Sequence, residues 1–286
     1  MILKSRVDVF FTWIWCAIVS CLVISRGFPS IYSSVAVIIS LLFILLSVYT
    51  YNDLVDRDVD KINPVKKNRP IPSGKMSLDD ARKVIIFFGI LGFAMMYFLN
   101  IYSFIISLCY YFLFFIYSYP GIHLKKIFLI KEIVITSGLT FIGLICSYAV
   151  SGHYSSMVLF ATLLFSIFGY VAQPAAQDTL DIESDRMQGV KTLGMVLSWK
   201  RKMQLLITGV LVIMTITPLT YVNFGFNMLL PIFVVAGSLV LLRFMLPITS
   251  KADEITFIKA RKPIVIYMLS LYIAVIIGSL QFNIPF

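Results

Sequence analysis

Long apolar segments separated by short polar ones run through almost the whole chain. A helix needs roughly 20 apolar residues to cross the hydrocarbon core of a bilayer. Segments of about this length recur along the 286 residues. We predict spanning helices at residues 8–25, 31–51, 81–99, 101–119, 130–150, 157–176, 204–222, 228–245 and 264–281. The pattern therefore predicts an all-α membrane protein with about nine transmembrane helices, folded as a single domain over residues 1–286.

Composition supports a membrane protein. Hydrophobic residues make up 59% of the chain and charged residues 13%, whereas soluble domains average about 45–50% and about 25%. A soluble fold of this length could not bury so much apolar surface, so we expect membrane lipid to cover part of it. The four cysteines lie inside apolar segments without the spacing of a metal site, which favours a packing role.

The net charge of +10 is distributed unevenly. Lysines and arginines precede the first predicted span and fill the loops that follow the second, fourth, sixth and eighth spans, while Arg26 falls on the opposite side. This asymmetry is typical of membrane orientation rather than nucleic-acid binding. It predicts a cytoplasmic N-terminus and an external C-terminus. Because the external loops are short and nearly uncharged, we expect the active site to open towards the cytoplasm.

The end of the second span carries an unusual density of acidic groups: Asn52, Asp53, Asp56, Asp58 and Asp60. On a helix, positions 52, 56 and 60 share one face, with position 53 beside them. Like charges at this spacing repel one another, and acids at membrane depth are costly and usually functional. Oxygen ligands of this kind suit Mg²⁺, which commonly shares its coordination shell with substrate phosphates.

A second acidic segment repeats this arrangement at the end of the sixth span. Asp178, Asp181 and Asp185 are spaced three and four residues apart on one helical face. The two segments start 126 residues apart. We interpret them as an internal duplication, with halves of about 1–126 and 127–250 and a ninth helix at 264–281, in a pseudo-twofold bundle around a central cavity.

The neighbouring cations suggest what the acids bind. A basic loop follows each acidic segment, and Arg69, Lys66 or Lys125 could contact phosphate oxygens directly. Magnesium bridges carboxylates to phosphates and stabilises charge on a diphosphate leaving group. The residues therefore favour a magnesium–diphosphate site, and an isoprenoid chain on the diphosphate could lie among the apolar spans.

These residues also resemble a known family. The sequence NDLVDRDVD at 52–60 matches the NDxxDxxxD motif of the UbiA superfamily of intramembrane prenyltransferases, and KIN at 61–63 with RPIPSG at 69–74 resembles its continuation. DIESD at 181–185, followed by Gly189 and KTL at 191–193, resembles the second motif. YS at 117–118, with Lys125 after it, resembles the segment between the two. The matches extend over nearly the whole chain.

The resemblance implies Mg²⁺-dependent transfer of a prenyl group from its diphosphate to an acceptor. The implied ligands of one Mg²⁺ are Asn52, Asp53, Asp56 and Asp60. Those of the other are Asp181 and Asp185, with Asp178 in support. The implied catalytic residues are Asp56, Asp60, Asp181 and Asp185. The expected diphosphate contacts are Arg69, Lys66, Tyr117, Lys125 and Lys191.

The acceptor is left open by the sequence. We expect an aromatic or quinone-precursor ring; the alternatives are geranylgeranylglyceryl phosphate, as in archaeal lipid synthesis, and cyclisation of the prenyl diphosphate. The family often has an Arg-Pro pair entering the first helix, whereas here Arg6 is followed by Val7. The residues that usually contact the acceptor on this side therefore differ. An ion-coupled transporter would instead place acids at the bilayer midplane on broken helices, and a scaffold would need no matched acidic clusters.

Overall fold

The computed structural model describes residues 1–63, 66–250 and 254–281, and every regular element in these ranges is helical. Nine long helices in these ranges form the bundle: α1 Val7–Ile24, α2 Ile31–Val55, α3 Leu78–Leu99, α4 Ile101–Ser118, α5 Ile130–Ser151, α6 Ser156–Ala176, α7 Trp199–Thr220, α8 Leu229–Met245 and α9 Glu254–Ser279. The short helices are Ile2–Ser5, Arg57–Ile62, Asp178–Met187 and Leu193–Val196, with 3₁₀ turns at Leu124–Lys126 and Leu246–Ile248.

The nine helices correspond to the nine predicted spans. Helices α2 to α9 are long and apolar enough to cross a membrane, and α1 contributes a shorter apolar helix, Val9–Ile24. Some helices continue beyond the predicted boundaries: α7 begins at Trp199 and α9 at Glu254. Hydropathy detects only the apolar part of a helix, whereas Lys, Arg and Glu propagate a helix well. The all-α membrane architecture is therefore confirmed.

The centre of the bundle is formed by α5 and α6. More than half of the apolar window of each is buried (56%), compared with 17% for α3. Helix α5 packs against α1, α2, α4 and α6. Helix α3 packs closely on α2, because Gly92 lets the backbone approach: a Cβ at position 92 would lie 3.0 Å from the Ser40 carbonyl oxygen. The outer face of α3 is apolar and exposed, as expected for a surface covered by lipid.

Side-chain caps define several helix starts. The Asn100 side chain accepts hydrogen bonds from the backbone N–H groups of Tyr102 (2.8 Å) and Ser103 (3.2 Å), so one residue ends α3 and caps α4. Ser155 caps α6 by accepting from the Val158 N–H. These tight connections keep consecutive helices antiparallel and adjacent.

Both acidic segments follow an even-numbered helix and begin a short second helix. Helix α2 ends at Val55, Asp56 lies at the bend, and Arg57–Ile62 forms the next helix. Helix α6 ends at Ala176, and the helix Asp178–Met187 follows. The bend at Asp56 interrupts the single continuous helix from which the shared face was inferred. The residues are nevertheless brought together by contacts with other elements.

Candidate functional site

The first acidic cluster centres on Asp53, which is 1% exposed at the end of α2. Two arginines from distant parts of the chain bind its carboxylate. Arg6, just before α1, forms an ion pair with Asp53 and donates a hydrogen bond to the Asn52 side chain at 2.7 Å. Arg69, in the loop after α2, lies 3.1 Å from the same carboxylate. The Arg6 guanidinium also stacks over the Tyr49 ring at 4.9 Å.

Asp56 and Asp60 extend this cluster. Asp56 forms an ion pair with Lys125 from the 3₁₀ turn after α4 and accepts a hydrogen bond from Asn52 at 3.1 Å. Arg69 bridges Asp53 to Asp60 with a 2.9 Å contact to the latter. Burial raises the pKa of Asp60, and the nearby positive charge of Arg69 partly opposes this shift. Three carboxylates and three cations thus form one buried network.

Asn52 connects the first cluster to α4. Its side-chain amide donates a hydrogen bond to the Ser118 hydroxyl at 2.8 Å, in addition to the bond to Asp56. Ser118 is the last residue of α4 and is 1% exposed. This bond fixes the orientation of Asn52, so that its carbonyl oxygen faces Arg6.

The second acidic cluster is organised by Lys131 at the start of α5. Its ammonium lies 2.6 Å from the Asp185 carboxylate and 3.4 Å from that of Asp178. Gln173 donates a further hydrogen bond to Asp178 at 3.3 Å. Burial raises the pKa of Asp178 to about 6, against the opposing charge of Lys131. Asp178 and Asp185 therefore face one point, whereas the side chain of Asp181 lies outside the described residues.

Glu132 adds a third carboxylate beside this cluster. It is fully buried and accepts a hydrogen bond from the Leu193 backbone N–H at 2.9 Å. This bond ties α5 to the start of the short helix after the second acidic segment. The negative charge of Glu132 also contributes to the raised pKa of Asp178. Its second oxygen, Oε2, is buried without a hydrogen-bond partner in the described part of the chain.

Tyr117 lies between the two clusters. It is within electrostatic range of Asp56 on one side and of Asp178 and Asp185 on the other. The two remaining predicted phosphate contacts differ in position, since Lys66 is within electrostatic range of Asp60. Lys66 is half-buried in the loop before Arg69, and Lys191 is exposed, with its ammonium 5.7 Å from the centre of the Phe128 ring.

The predicted residues therefore fall into two groups, and sequence reasoning missed several partners. Asn52, Asp53, Asp56, Asp60, Arg69 and Lys125 converge, and so do Asp178 and Asp185. The missed residues are Arg6, Ser118, Lys131 and Glu132. One signal in the sequence was available: Arg6 and Lys131 each stand at or just before the start of a predicted span. A cation held at membrane depth implies an anionic partner.

The carboxylate oxygens of both clusters are suitable ligands for Mg²⁺. No three acidic, histidine or cysteine side chains among the described residues converge directly on a common point, because cations lie between the carboxylates. However, Asp60 Oδ1 and Asp178 Oδ2 are buried oxygens without a hydrogen-bond partner in the described ranges. Buried, unsatisfied carboxylate oxygens are costly, and a hard cation that prefers oxygen ligands would satisfy them.

The fold is similar to that of several solved structures. One similar solved structure is of digeranylgeranylglyceryl phosphate synthase, with a TM-score of 0.75 and 23% identity, covering 97% of this chain and 96% of that one. Another is a UbiA homologue from Archaeoglobus fulgidus bound to DMAPP and Mg²⁺, with a TM-score of 0.70, 14% identity, and coverage of 96% and 99%. At these identities the likeness establishes the fold.

Sequence comparison establishes the family. Digeranylgeranylglyceryl phosphate synthase from Sulfurisphaera tokodaii is 30% identical over 81% of this chain and 80% of its own length. The synthase from Methanocaldococcus jannaschii is 26% identical over 90% and 88%. The model of the UbiA prenyltransferase family matches residues 13–271. The chain therefore belongs to the UbiA prenyltransferase family and is a multi-pass membrane prenyltransferase.

Proposed function

We propose that this prenyltransferase transfers a geranylgeranyl group from geranylgeranyl diphosphate to geranylgeranylglyceryl phosphate, in a Mg²⁺-dependent reaction. The observation that carries the diphosphate chemistry is the pair of buried carboxylate clusters on either side of Tyr117. The acceptor is supported by the relatives named digeranylgeranylglyceryl phosphate synthase, which match four fifths of the chain or more. They favour a glycerophosphate acceptor over the aromatic ring expected from the sequence.

The two clusters would each hold one Mg²⁺. In this proposal the first ion is bound by Asn52, Asp53, Asp56 and Asp60, and the second by Asp178, Asp181 and Asp185. Magnesium, when bound, neutralises the charge that develops on the departing diphosphate. The matched position of the clusters after α2 and α6 also supports the proposal that the chain consists of two duplicated halves around a shared site.

In the proposed reaction, the cations of the site pair first with carboxylates and then with phosphate oxygens. Lys125, Arg69 and Lys131 now neutralise the carboxylates. When the diphosphate binds, the same side chains can turn towards its phosphate oxygens, because the carboxylates would then hold Mg²⁺. Arg69 suits this exchange, since a guanidinium contacts two phosphate oxygens at once. Lys66 and Lys191, at the rim, would contact the phosphates of incoming substrates.

The bond changes follow from this arrangement. The allylic C–O bond breaks, and the diphosphate leaves with the electron pair, stabilised by the cations and by the Tyr117 hydroxyl. The acceptor hydroxyl oxygen then attacks the allylic carbocation, and its proton passes to the departing diphosphate as the ether bond forms. The surrounding helices, together with the partly buried Tyr117, keep water away from the carbocation, which would otherwise be hydrolysed.

An acceptor panel tests the proposed function. The purified chain, reconstituted in nanodiscs, is incubated with radiolabelled geranylgeranyl diphosphate, Mg²⁺ and one of three acceptors: geranylgeranylglyceryl phosphate, 4-hydroxybenzoate, or none. We expect labelled ether lipid with the glycerophosphate alone. Label transferred to the aromatic ring, or a cyclised product without acceptor, would overturn the proposed acceptor.

We also propose that the N-terminus and the site face the cytoplasm and the C-terminus faces outwards, because the basic loops share the side of the two clusters. Tyr154, in the connection between α5 and α6, is 47% exposed. A cysteine at position 154, in a Cys109→Ala background because Cys109 is the exposed native cysteine, should react with an impermeant thiol reagent added to intact cells. Reaction only after the cells are opened would reverse the orientation.

A further inference from the structure

A lateral groove lies between α5 and α6, on the lipid-facing side of the helices that carry the second cluster. Its volume is about 520 Å³, within the range of roughly 300–1,000 Å³ typical of small-molecule sites. On α5 its wall includes Ile133, Ser137, Thr140 and Leu144, which recur at helical spacing. These residues extend over about 16 Å along the axis, at 1.5 Å per residue. The groove is therefore long and narrow.

The lining of the groove selects against a polar occupant. Its serine and threonine hydroxyls already have partners within the protein. Thr140 and Ser166 share a hydrogen bond of 2.9 Å, Ser166 donates to the Thr136 carbonyl oxygen at 2.8 Å, and Ser137 donates to that of Val134 at 2.9 Å. The surface that remains is apolar. An apolar chain gains from this surface, whereas a polar group would lose its hydrogen bonds to water.

The groove is polar at one end only. Tyr170 lines the end next to the second cluster and is within electrostatic range of Glu132. Lys131 and Glu132 directly precede the lining residue Ile133, which is 48% exposed. Lys191 lies over Phe128, five residues before Ile133 in the chain. The groove therefore ends beside the second cluster, and the exposed Lys191 follows that cluster in the chain. A polar end beside a long apolar wall is complementary to a lipid with one phosphate and one long chain.

We propose that this groove holds the isoprenoid chain of the acceptor, with the acceptor phosphate towards Lys191. This inference rests on the proposed function. The occupant is the acceptor rather than the donor for a geometric reason. The groove is separated from the interior by Phe141, whose ring packs on Tyr110 at 6.1 Å. A donor bound between the two clusters lies on the interior side of this packing, whereas a membrane lipid reaches the groove directly from the bilayer.

Selective obstruction of the groove tests the proposal in the full-length protein. Thr140→Phe fills the groove, and Thr215→Phe, at an exposed position on α7, is the matched control. Each variant is assayed with geranylgeranylglyceryl phosphate and with an analogue that carries a five-carbon chain. We expect Thr140→Phe to lower kcat/KM about tenfold for the long acceptor, the equivalent of about 1.4 kcal/mol, and less than about twofold for the short one.

The short acceptor separates obstruction from misfolding. An equal loss with both acceptors, or no loss with either, would overturn the role of the groove while wild-type activity upheld the proposed function. A wild-type protein without activity on the long acceptor would instead contradict the proposed function, and with it the assignment of the occupant.

A labelling experiment measures occupancy without catalysis. The probe is geranylgeranylglyceryl phosphate with a diazirine near the end of its chain, bound to the protein in phosphatidylcholine nanodiscs and activated by light. We expect labelled peptides from α5 and α6, with labelling reduced by unlabelled acceptor and not by geranylgeranyl diphosphate. Labelling confined to other helices, or labelling that unlabelled acceptor does not reduce, would indicate that bulk lipid alone fills the groove.

Discussion

The two acidic clusters differ in how their charge is neutralised. In the first cluster, Asp53, Asp56 and Asp60 meet Arg6, Arg69 and Lys125, so three carboxylates face three cations. In the second cluster, Asp178 and Asp185 share Lys131, and buried Glu132 adds a further negative charge nearby. Lys202 also lies within electrostatic range of Asp178, but its own side chain is buried.

This difference indicates separate roles before substrate arrives. The first cluster is balanced within the protein, and Arg69 bridges Asp53 to Asp60, so the cluster is preorganised. The second cluster retains excess negative charge in a buried setting. Burial raises the pKa of Asp178 to about 6, and the negative charges of Glu132 and Asp185 add to this shift. An external cation has more to gain there. We therefore expect the second cluster to bind Mg²⁺ more readily than the first in the absence of diphosphate.

The largest expected effect is on activity, and it applies to both clusters alike. Asp56→Asn and Asp185→Asn keep the size of the side chain but remove a carboxylate from each cluster. We expect each to lower the rate of prenyl transfer by about 10²–10³, the scale of losing one preorganised electrostatic contact. Diphosphate release from labelled geranylgeranyl diphosphate gives the rate.

Asp58 provides the control for this experiment, because its side chain is 72% exposed in the same acidic segment and pairs only with surface cations in the described residues. Asp58→Asn should stay within about twofold of wild type, since exposed ion pairs contribute little. A loss in Asp58→Asn comparable to that in Asp56→Asn would mean that overall segment charge, rather than the buried site, governs the rate.

The next prediction concerns the unfolding free energy, which should fall by different amounts when each cluster loses a lysine. Lys131→Met leaves two buried carboxylates without their shared cation, which we expect to cost about 3 kcal/mol of unfolding free energy. Lys125→Met should cost about 1–2 kcal/mol, because Asn52 still donates a hydrogen bond to Asp56. Unfolding in mixed micelles measures both values, with the exposed Lys126→Met as control.

Added Mg²⁺ provides a second measure of the difference between the two clusters. Added Mg²⁺ should restore more stability to Lys131→Met than to Lys125→Met, because the metal replaces the missing positive charge where the excess negative charge is larger. Equal stability losses in the two variants, with equal recovery, would contradict the proposed asymmetry between the clusters.

The smallest expected effect concerns Arg6. Arg6→Lys keeps the charge but loses the planar fork that reaches both Asp53 and Asn52. Because Arg69 still pairs with Asp53, we expect a loss of about 1 kcal/mol, the scale of a single typical hydrogen bond. The same unfolding assay measures it. A loss as large as that of Lys131→Met would mean that the first cluster has no redundancy.

The sequence was sufficient to predict the helices but not their ends. Apolar length identified all nine, and Asn100 marked the tight turn between α3 and α4, where it caps the next helix. The start of α9 at Glu254 was missed because its first turns are polar. Hydropathy measures compatibility with lipid, whereas helix propagation depends on backbone hydrogen bonds that continue through charged residues.

The aspartates of the site could be predicted from the sequence, but most of the cations that pair with them could not. The spacing of Asp53, Asp56 and Asp60 within one segment is visible in the sequence. The pairing of Arg6 with Asp53 joins residues 47 positions apart, and that of Lys131 with Asp185 joins residues 54 apart. Such pairs depend on how α1, α2 and α5 pack, which local patterns do not encode.

If the two clusters jointly hold metal ions against a diphosphate, the number of bound metal ions should depend on both clusters. Mn²⁺, as a paramagnetic substitute for Mg²⁺, is titrated into the purified protein in the presence of an unreactive thio-analogue of geranylgeranyl diphosphate. We expect two bound ions for the wild type and for Asp58→Asn, and one each for Asp56→Asn and Asp185→Asn. A wild type that binds no Mn²⁺, or an Asp185→Asn variant that keeps both ions, would contradict this expectation.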